Sequence, residues 1–147
     1  YPARPPFYSG RFRFKKHYYS VIHDLHEKRK DGTPAEEFVC ARAIDGHPAV
    51  KHWVRNVAQD ERFSFWLPTA TDYFYPDFVA ELKDGRVLVV EYKGKLQVYD
   101  DTREKDQIGR QWEASSGGKC IFLMAVMDDS GRDVATQIAD KIGHAVG

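Results

Sequence analysis

The stretch YPDFVAELKDGRVLVVEYK (75–93) decides how the chain is read. Phe78 to Leu82 and Arg86 to Tyr92 are β-prone runs, and Lys83-Asp84-Gly85 between them is a turn signal, so the segment predicts a hairpin. Side chains alternate along a strand, which sets Val87, Val89, Glu91 and Lys93 on one face. With a three-residue loop and Gly85 left-handed, Leu82 pairs with Arg86, and Asp77 falls opposite Glu91. Opposed residues have β-carbons about 5 Å apart, close enough for two carboxylates to share one hard cation. A two-residue loop would instead set Asp77 opposite Tyr92.

Upstream, Thr33-Pro34-Ala35-Glu36 predicts a helix start, with Thr33 as cap, Pro34 in the first position and Glu36 as a capping-box carboxylate. That helix is expected to run to Ile44, stopped by Asp45-Gly46-His47-Pro48. Val50 to Val57 and residues 63–67 (FSFWL) read as strands. Downstream, Thr102 to Ala114 reads as a helix capped by Asp101, and Cys120 to Val126 as a strand buried on both faces. Asp133 to Val146 reads as a terminal helix. The order of helix, about four strands, helix, strand and helix predicts an α/β fold, a three-layer sandwich with a mixed β-sheet flanked by helices.

Residues 1–32 are expected to form a basic N-terminal arm and 33–147 the domain proper. Within the arm, the Pro-rich residues 1–10 read as a linker and Arg11 to Phe14 as an edge strand. The chain begins at Tyr1, and it is expected to be an excised piece of a longer polypeptide.

With 147 residues, 42% hydrophobic and 30% charged, the chain is expected to be one soluble globular domain. Its aliphatic runs, such as Val87 to Val90, are too short to cross a bilayer. Cys40 and Cys120 sit apart in apolar segments, which excludes a disulfide framework and a zinc cluster. No secretory leader is visible, so a cytoplasmic location is expected. The 22 basic and 22 acidic residues cancel, which argues against whole-domain attraction to nucleic acid.

Charge is uneven, however. Residues 11–30 hold Arg11, Arg13, Lys15, Lys16, Lys28, Arg29 and Lys30 against Asp24 and Glu27. The run RFRFKKHYY (11–19) offers cations for phosphates and rings for bases. A charged edge strand that resists aggregation explains the same residues and is the preferred reading. His23 and His26 lack a third ligand and read as a polar segment.

Two carboxylates near a backbone carbonyl, with waters completing the shell, suit Mg²⁺ or Mn²⁺. Lys93, two residues beyond Glu91, reaches the same space, where it could orient a water and offset phosphate charge. That is the chemistry of phosphodiester hydrolysis. The plain alternative for Glu91 and Lys93 is a solvated ion pair at a strand end.

Asp77 with Glu91-x-Lys93 resembles the PD-(D/E)xK nuclease signature, whose core order of helix, three strands, helix and strand matches the one read here. Three segments are similar to the C-terminal endonuclease domain of type III restriction enzymes and related helicase-nuclease subunits. They are EEFVCARAIDGHPAVKHWVRN (36–56), FSFWLPTATDYFYPDFVAELKDGRVLVVEYKG (63–94) and the helix around Lys105 to Trp112, so the likeness covers about residues 33–127. It implies a restriction-endonuclease-like fold, Asp77 and Glu91 as Mg²⁺ or Mn²⁺ ligands, and Lys93 as the catalytic lysine.

It also implies a helix glutamate. Glu36 already has a capping role, whereas Glu37 precedes Cys40 and Ile44 at helical spacing, so Glu37 is preferred. Lys95 and Lys105 are candidate DNA contacts, with a surface lysine lying along its helix the equal alternative for Lys105. Implied partners are DNA, an ATP-driven motor portion outside this chain, a methyltransferase or recognition subunit and a second copy on DNA, with no membrane. The rival expectation is a non-catalytic interaction or DNA-binding module of the same fold. RNA or branched DNA stands as a third substrate option.

Overall fold

In chain order, the computed structural model has α1 (Glu36–Gly46), β1 (Val50–Arg55), β2 (Leu67–Pro68), β3 (Tyr73–Phe74), β4 (Phe78–Leu82), β5 (Val87–Tyr92), α2 (Tyr99–Ser115), β6 (Cys120–Ala125) and α3 (Val134–Val146). It describes residues 1, 3–58, 64–69, 73–94 and 99–146. The main sheet runs β1-β4-β5-β6, and β2 with β3 forms a separate two-stranded ribbon. β1 and β4 pair antiparallel, as do β4 and β5, while β5 and β6 pair parallel. A parallel pair needs a crossover, and α2 supplies it. The sheet is therefore mixed, as expected.

Alternation along the strands divides the core into two. Phe78, Ala80, Leu88, Val90, Tyr92 and Ile121 pack with Cys40, Ala41 and Ile44 of α1 and Val134, Ile138 and Ile142 of α3. Val79, Val87, Val89, Phe122 and Met124 meet Ile108 and Trp112 of α2 and Leu67 and Phe74 of the ribbon. The sheet thus has α1 and α3 over one face and α2 over the other, an arrangement compatible with an α/β sandwich.

The hairpin register follows from one backbone angle. Gly85 has φ +92°, a conformation open to glycine at no steric cost. Its N–H donates to Leu82 O at 3.0 Å, and the Leu82 N–H donates to Arg86 O at 2.9 Å. Phe78 then lies beside Val90 and Glu81 beside Val87, which is the register of the three-residue loop.

Local expectations fared unevenly. Thr33 does not cap α1: the N-cap is Ala35, with no side-chain bond, and Thr33 Oγ1 donates to Asp31 Oδ1 at 2.6 Å. The Ala35 N–H is taken by Glu27 O at 3.0 Å, and Pro34 bridges Lys28, which holds this stretch extended. Glu36 consequently has no capping-box role. The helix also passes Ile44 and ends at Gly46. α2 starts before the expected Asp101 cap, at Tyr99. The apolar run at Cys120 belongs to an edge strand, so Leu123 and Met124 are half-exposed. Within 63–67, Phe63 lies outside the described residues, and only Leu67 of the rest is in a strand.

Arg11 to Phe14 is not a strand. Side-chain carboxylates take the backbone N–H groups that a ladder would have used. Glu27 accepts from Arg11 and Phe12. Asp45, itself buried, accepts from Lys16 N at 2.8 Å, Lys15 N at 3.1 Å and Trp53 Nε1 at 2.9 Å. Phe12 and Phe14 turn inward onto Phe38, and Phe14 also meets Trp53. Ile22 and Leu25 join the α1–α3 core. Tyr8, Phe14, Ile22 and Leu25 thus tie the N-terminal segment onto the domain.

β6 closes its outer side in the same way. Glu113 Oε1 accepts the Phe122 N–H at 2.7 Å, and Gln137 both accepts the Val126 N–H at 3.1 Å and donates to Val126 O at 2.8 Å. Gly109 lets α2 approach this strand: a β-carbon there would sit 2.2 Å from the Phe122 ring. Gly109→Ala gains helix propensity yet overpacks the contact, and is expected to lower stability by about 1–3 kcal/mol, read from chemical denaturation.

Candidate active site

The register brings four charged positions to one end of the sheet. Arg55, the last residue of β1, pairs with Phe78, the first of β4, and Phe78 lies beside Val90 near the end of β5. Arg55, Asp77 and Glu91 are therefore neighbours, and the first turn of α1 adds Glu37. Arg55 Nη2 donates to Glu37 Oε2 at 2.7 Å, and Nη1 donates to Asp77 Oδ1 at 3.1 Å. The same guanidinium lies over the Phe78 ring, 5.1 Å from its centroid.

The carboxylates interlock through backbone groups. Asp77 Oδ2 accepts the Tyr92 N–H at 2.7 Å, and Glu91 Oε1 accepts the Asp77 N–H at 3.2 Å. From α2, Lys105 Nζ donates to Glu91 Oε2 at 3.1 Å and stands 5.4 Å from the Phe74 ring. Lys93 follows β5 directly, half-buried, with its N–H donating to Ala125 O at 2.8 Å.

Glu91 is 3% exposed. Burial, and next the Asp77 carboxylate, raise its pKa to about 9 against the opposing pull of Lys105. Burial also raises Glu37, with Asp77 and Asp24 adding to it and Arg55 opposing. For Arg55, burial acts downward, but the charges of Glu37 and Asp77 outweigh it and hold the guanidinium above its ordinary value. Acids thus alternate with bases, and burial shifts Glu91 toward its protonated form.

Of the residues singled out by sequence, the structure gathers Asp77, Glu91, Glu37 and Lys105, with Lys93 next along the chain from β5. Glu36 makes none of these contacts; it lines a neighbouring cavity with Glu37, Tyr92 and Gly94, and its charge partner is Arg29, at 3.9 Å. Lys105 turns its ammonium inward onto Glu91 instead of lying along the surface. Lys95 lies outside the described residues. Cys40 is fully buried beneath the site, where burial pushes its thiol well up, the behaviour of a small apolar residue.

Sequence reading missed Arg55. Its own strand gave little signal, because β1 already carries Lys51 and His52 and a further charge at its end is unremarkable. No family model, curated protein or solved structure matches the chain significantly. Among the described residues, no helix is long and apolar enough to cross a membrane.

Two measurements check these contacts. Arg55→Met leaves Glu37 and Asp77 without their shared cation and is expected to cost about 3–5 kcal/mol, as for other broken buried pairs. For Glu91, the folded pKa lies above the unfolded one, so its share of stability is complete below about pH 4.5 and lost as pH rises toward 9. Glu91→Gln mimics the protonated acid. Its melting temperature in metal-free buffer should match wild type near pH 5 and exceed it increasingly above pH 7.

Proposed function

We propose that the chain is a metal-dependent DNA endonuclease domain of restriction-endonuclease-like fold, the cleavage module of a type III-like restriction enzyme. The reading is supported above all by the opposition of Asp77 and Glu91 at a sheet end, with Lys93 two residues further on. Glu37, tied in through Arg55, adds a third acid at the same end.

Among the described residues, no group of three or more His, Cys, Asp or Glu is set to hold an ion. Asp77 and Glu91 nevertheless offer hard oxygen donors, and Mg²⁺ ordinarily takes one or two carboxylates and keeps several waters. These two residues would hold Mg²⁺ or Mn²⁺, whose chemistry when bound is Lewis acidity and a more acidic water. Arg55 fixes the orientation of Asp77, and the Tyr92 N–H holds its other oxygen. Lys105 offsets the charge of Glu91. Lys93 is the group for orienting the attacking water and offsetting charge on the phosphate.

Zero net charge supports dependence on other parts for DNA affinity, because phosphate neutralisation drives nonspecific binding. In this reading an ATP-driven motor and a methyltransferase or recognition subunit deliver the DNA, and a second copy cuts the second strand. One observation favours the rival, a non-catalytic interaction module: each oxygen of Asp77 and Glu91 already accepts an N–H. In that case the cluster would be a structural ion-pair network.

Calorimetry with Mn²⁺ and Mg²⁺, on wild type, Asp77→Asn and Glu91→Gln, separates the two, with plasmid nicking run alongside. The nuclease reading expects binding that tightens from pH 6 to pH 9 with proton release, since Glu91 must ionise to ligate. It expects binding and nicking to be lost in both variants. A folded wild type that binds neither ion, with or without DNA, leaves the interaction module standing.

A further inference from the structure

The basic, aromatic N-terminal segment has no part in the chemistry above, yet it is built onto the end of β1. Among the described residues, the exposed large apolar side chains are concentrated there: Tyr1, Phe7, Tyr18, Tyr19 and Val21, with only Tyr73 elsewhere. The edge-strand explanation fails for residues 11–14, which form no strand; the segment meets the sheet edge only around His17, which bridges Trp53. Instead, Phe12 and Phe14 point into the core, while Arg11, Arg13 and Lys15 are exposed.

Tyr18 is 62% exposed. It is held by its backbone, whose N–H donates to Trp53 O at 2.9 Å, and it leans on His52 and Tyr19, each 5.0 Å away. Tyr19 stacks face to face on Tyr1 at 4.3 Å. His17 connects this cluster to the candidate site. Its Nε2 accepts the Arg55 N–H at 3.1 Å, so its proton sits on Nδ1, 2.8 Å from Tyr19 O. Tyr1 adds a second link, with its hydroxyl donating to Arg55 O at 2.9 Å. Beside the stack lies a cavity of about 390 Å³ lined by Arg13, His17, Tyr19 and Ser20, within the size range of small-ligand clefts.

We propose that this surface binds single-stranded DNA, with a base stacked on Tyr18 and a phosphate held at Arg13 beside Tyr19. The inference rests on the nuclease reading for where the strand leads, which is to the Arg55 end of the sheet. The charge argument is local: Arg11, Arg13 and Lys15 are exposed just before the rings, in a stretch whose residues 11–30 carry seven cations against two acids in a chain of zero net charge. One of those acids, Glu27, is occupied by the N–H groups of Arg11 and Phe12. The commitment to a single strand follows from the rings. Bases in a duplex stack on each other, so only an unpaired base has a face to offer an exposed tyrosine.

Fluorescence anisotropy in EDTA tests this without cleavage, using labelled oligothymidylate and a blunt duplex of equal length. Wild type is expected to prefer the single strand. Tyr18→Leu, which keeps bulk but removes the aromatic face, should weaken that binding by about 5- to 150-fold, the cost of one lost base stack. Duplex affinity and melting temperature should be unchanged, and Tyr18→Trp should retain the preference. Arg13→Ala should weaken binding to both and reduce its salt dependence. Equal affinity for both DNAs, or a Tyr18→Leu variant that binds like wild type, overturns the proposal. Absence of any DNA binding also overturns it and leaves the rings as a protein-docking surface. Metal calorimetry and nicking report separately on the nuclease reading, so either proposal can fail alone.

Discussion

A slip of one residue between β4 and β5 would carry every side chain of one strand to the opposite face. The left-handed turn at Gly85 prevents it. That turn sets Phe78 beside Val90, and the rest is geometric consequence. Leu88, Val90 and Tyr92 face α1 and α3, Val87 and Val89 face α2, and Glu91 meets Lys105 at the end of the strand. A loop of two residues would have left Asp77 opposite an aromatic ring and dispersed the acids.

The gathered acids are tolerable because bases come from elements distant in sequence. Three carboxylates gathered at a partly buried end of the sheet would repel one another, and isolated charges buried as deeply as Glu91 are costly. Arg55 from β1 divides its two nitrogens between Glu37 and Asp77, and Lys105 from α2 takes Glu91. Each of the three layers therefore contributes to one charge balance. Placing a divalent cation there would exchange proton and ammonium partners for metal, a rearrangement of existing charges rather than the filling of an apolar hole.

The hairpin was legible because its determinants are local: a Lys-Asp-Gly turn and two flanking runs carry both pairing and register. Glu37 was legible for a similar reason, since helical spacing to Cys40 and Ile44 turned it toward the sheet. What could not be read depended on distant partners. Thr33 had every property of a cap, but Glu27 claimed the neighbouring Ala35 N–H and kept the residue outside the helix. Arg11 to Phe14 had the alternation of a strand, but Glu27 took the N–H groups of Arg11 and Phe12, and Asp45 those of Lys15 and Lys16 just beyond. Arg55 matters through Glu37 and Asp77, 18 and 22 positions away, and no pattern within its own strand reports that. The order of elements follows from local signals; their charge pairing does not.

The two outer strands have a bearing on how the molecule can associate. β1 is covered by Lys16 to Tyr18, with Trp53 exchanging hydrogen bonds with Lys16 and Tyr18. β6 is covered by Glu113 and Gln137, with Ser116 Oγ accepting the Cys120 N–H at 3.1 Å. Neither margin presents a continuous row of open peptide groups for a foreign strand to zip onto. Growth of the sheet by edge-to-edge stacking, the common route from exposed strands to fibrous aggregates, is hindered by backbone along β1 and by side chains along β6. Another polypeptide that engages this fold is thereby directed to its helices, loops and N-terminal rings, or to the short β2–β3 ribbon.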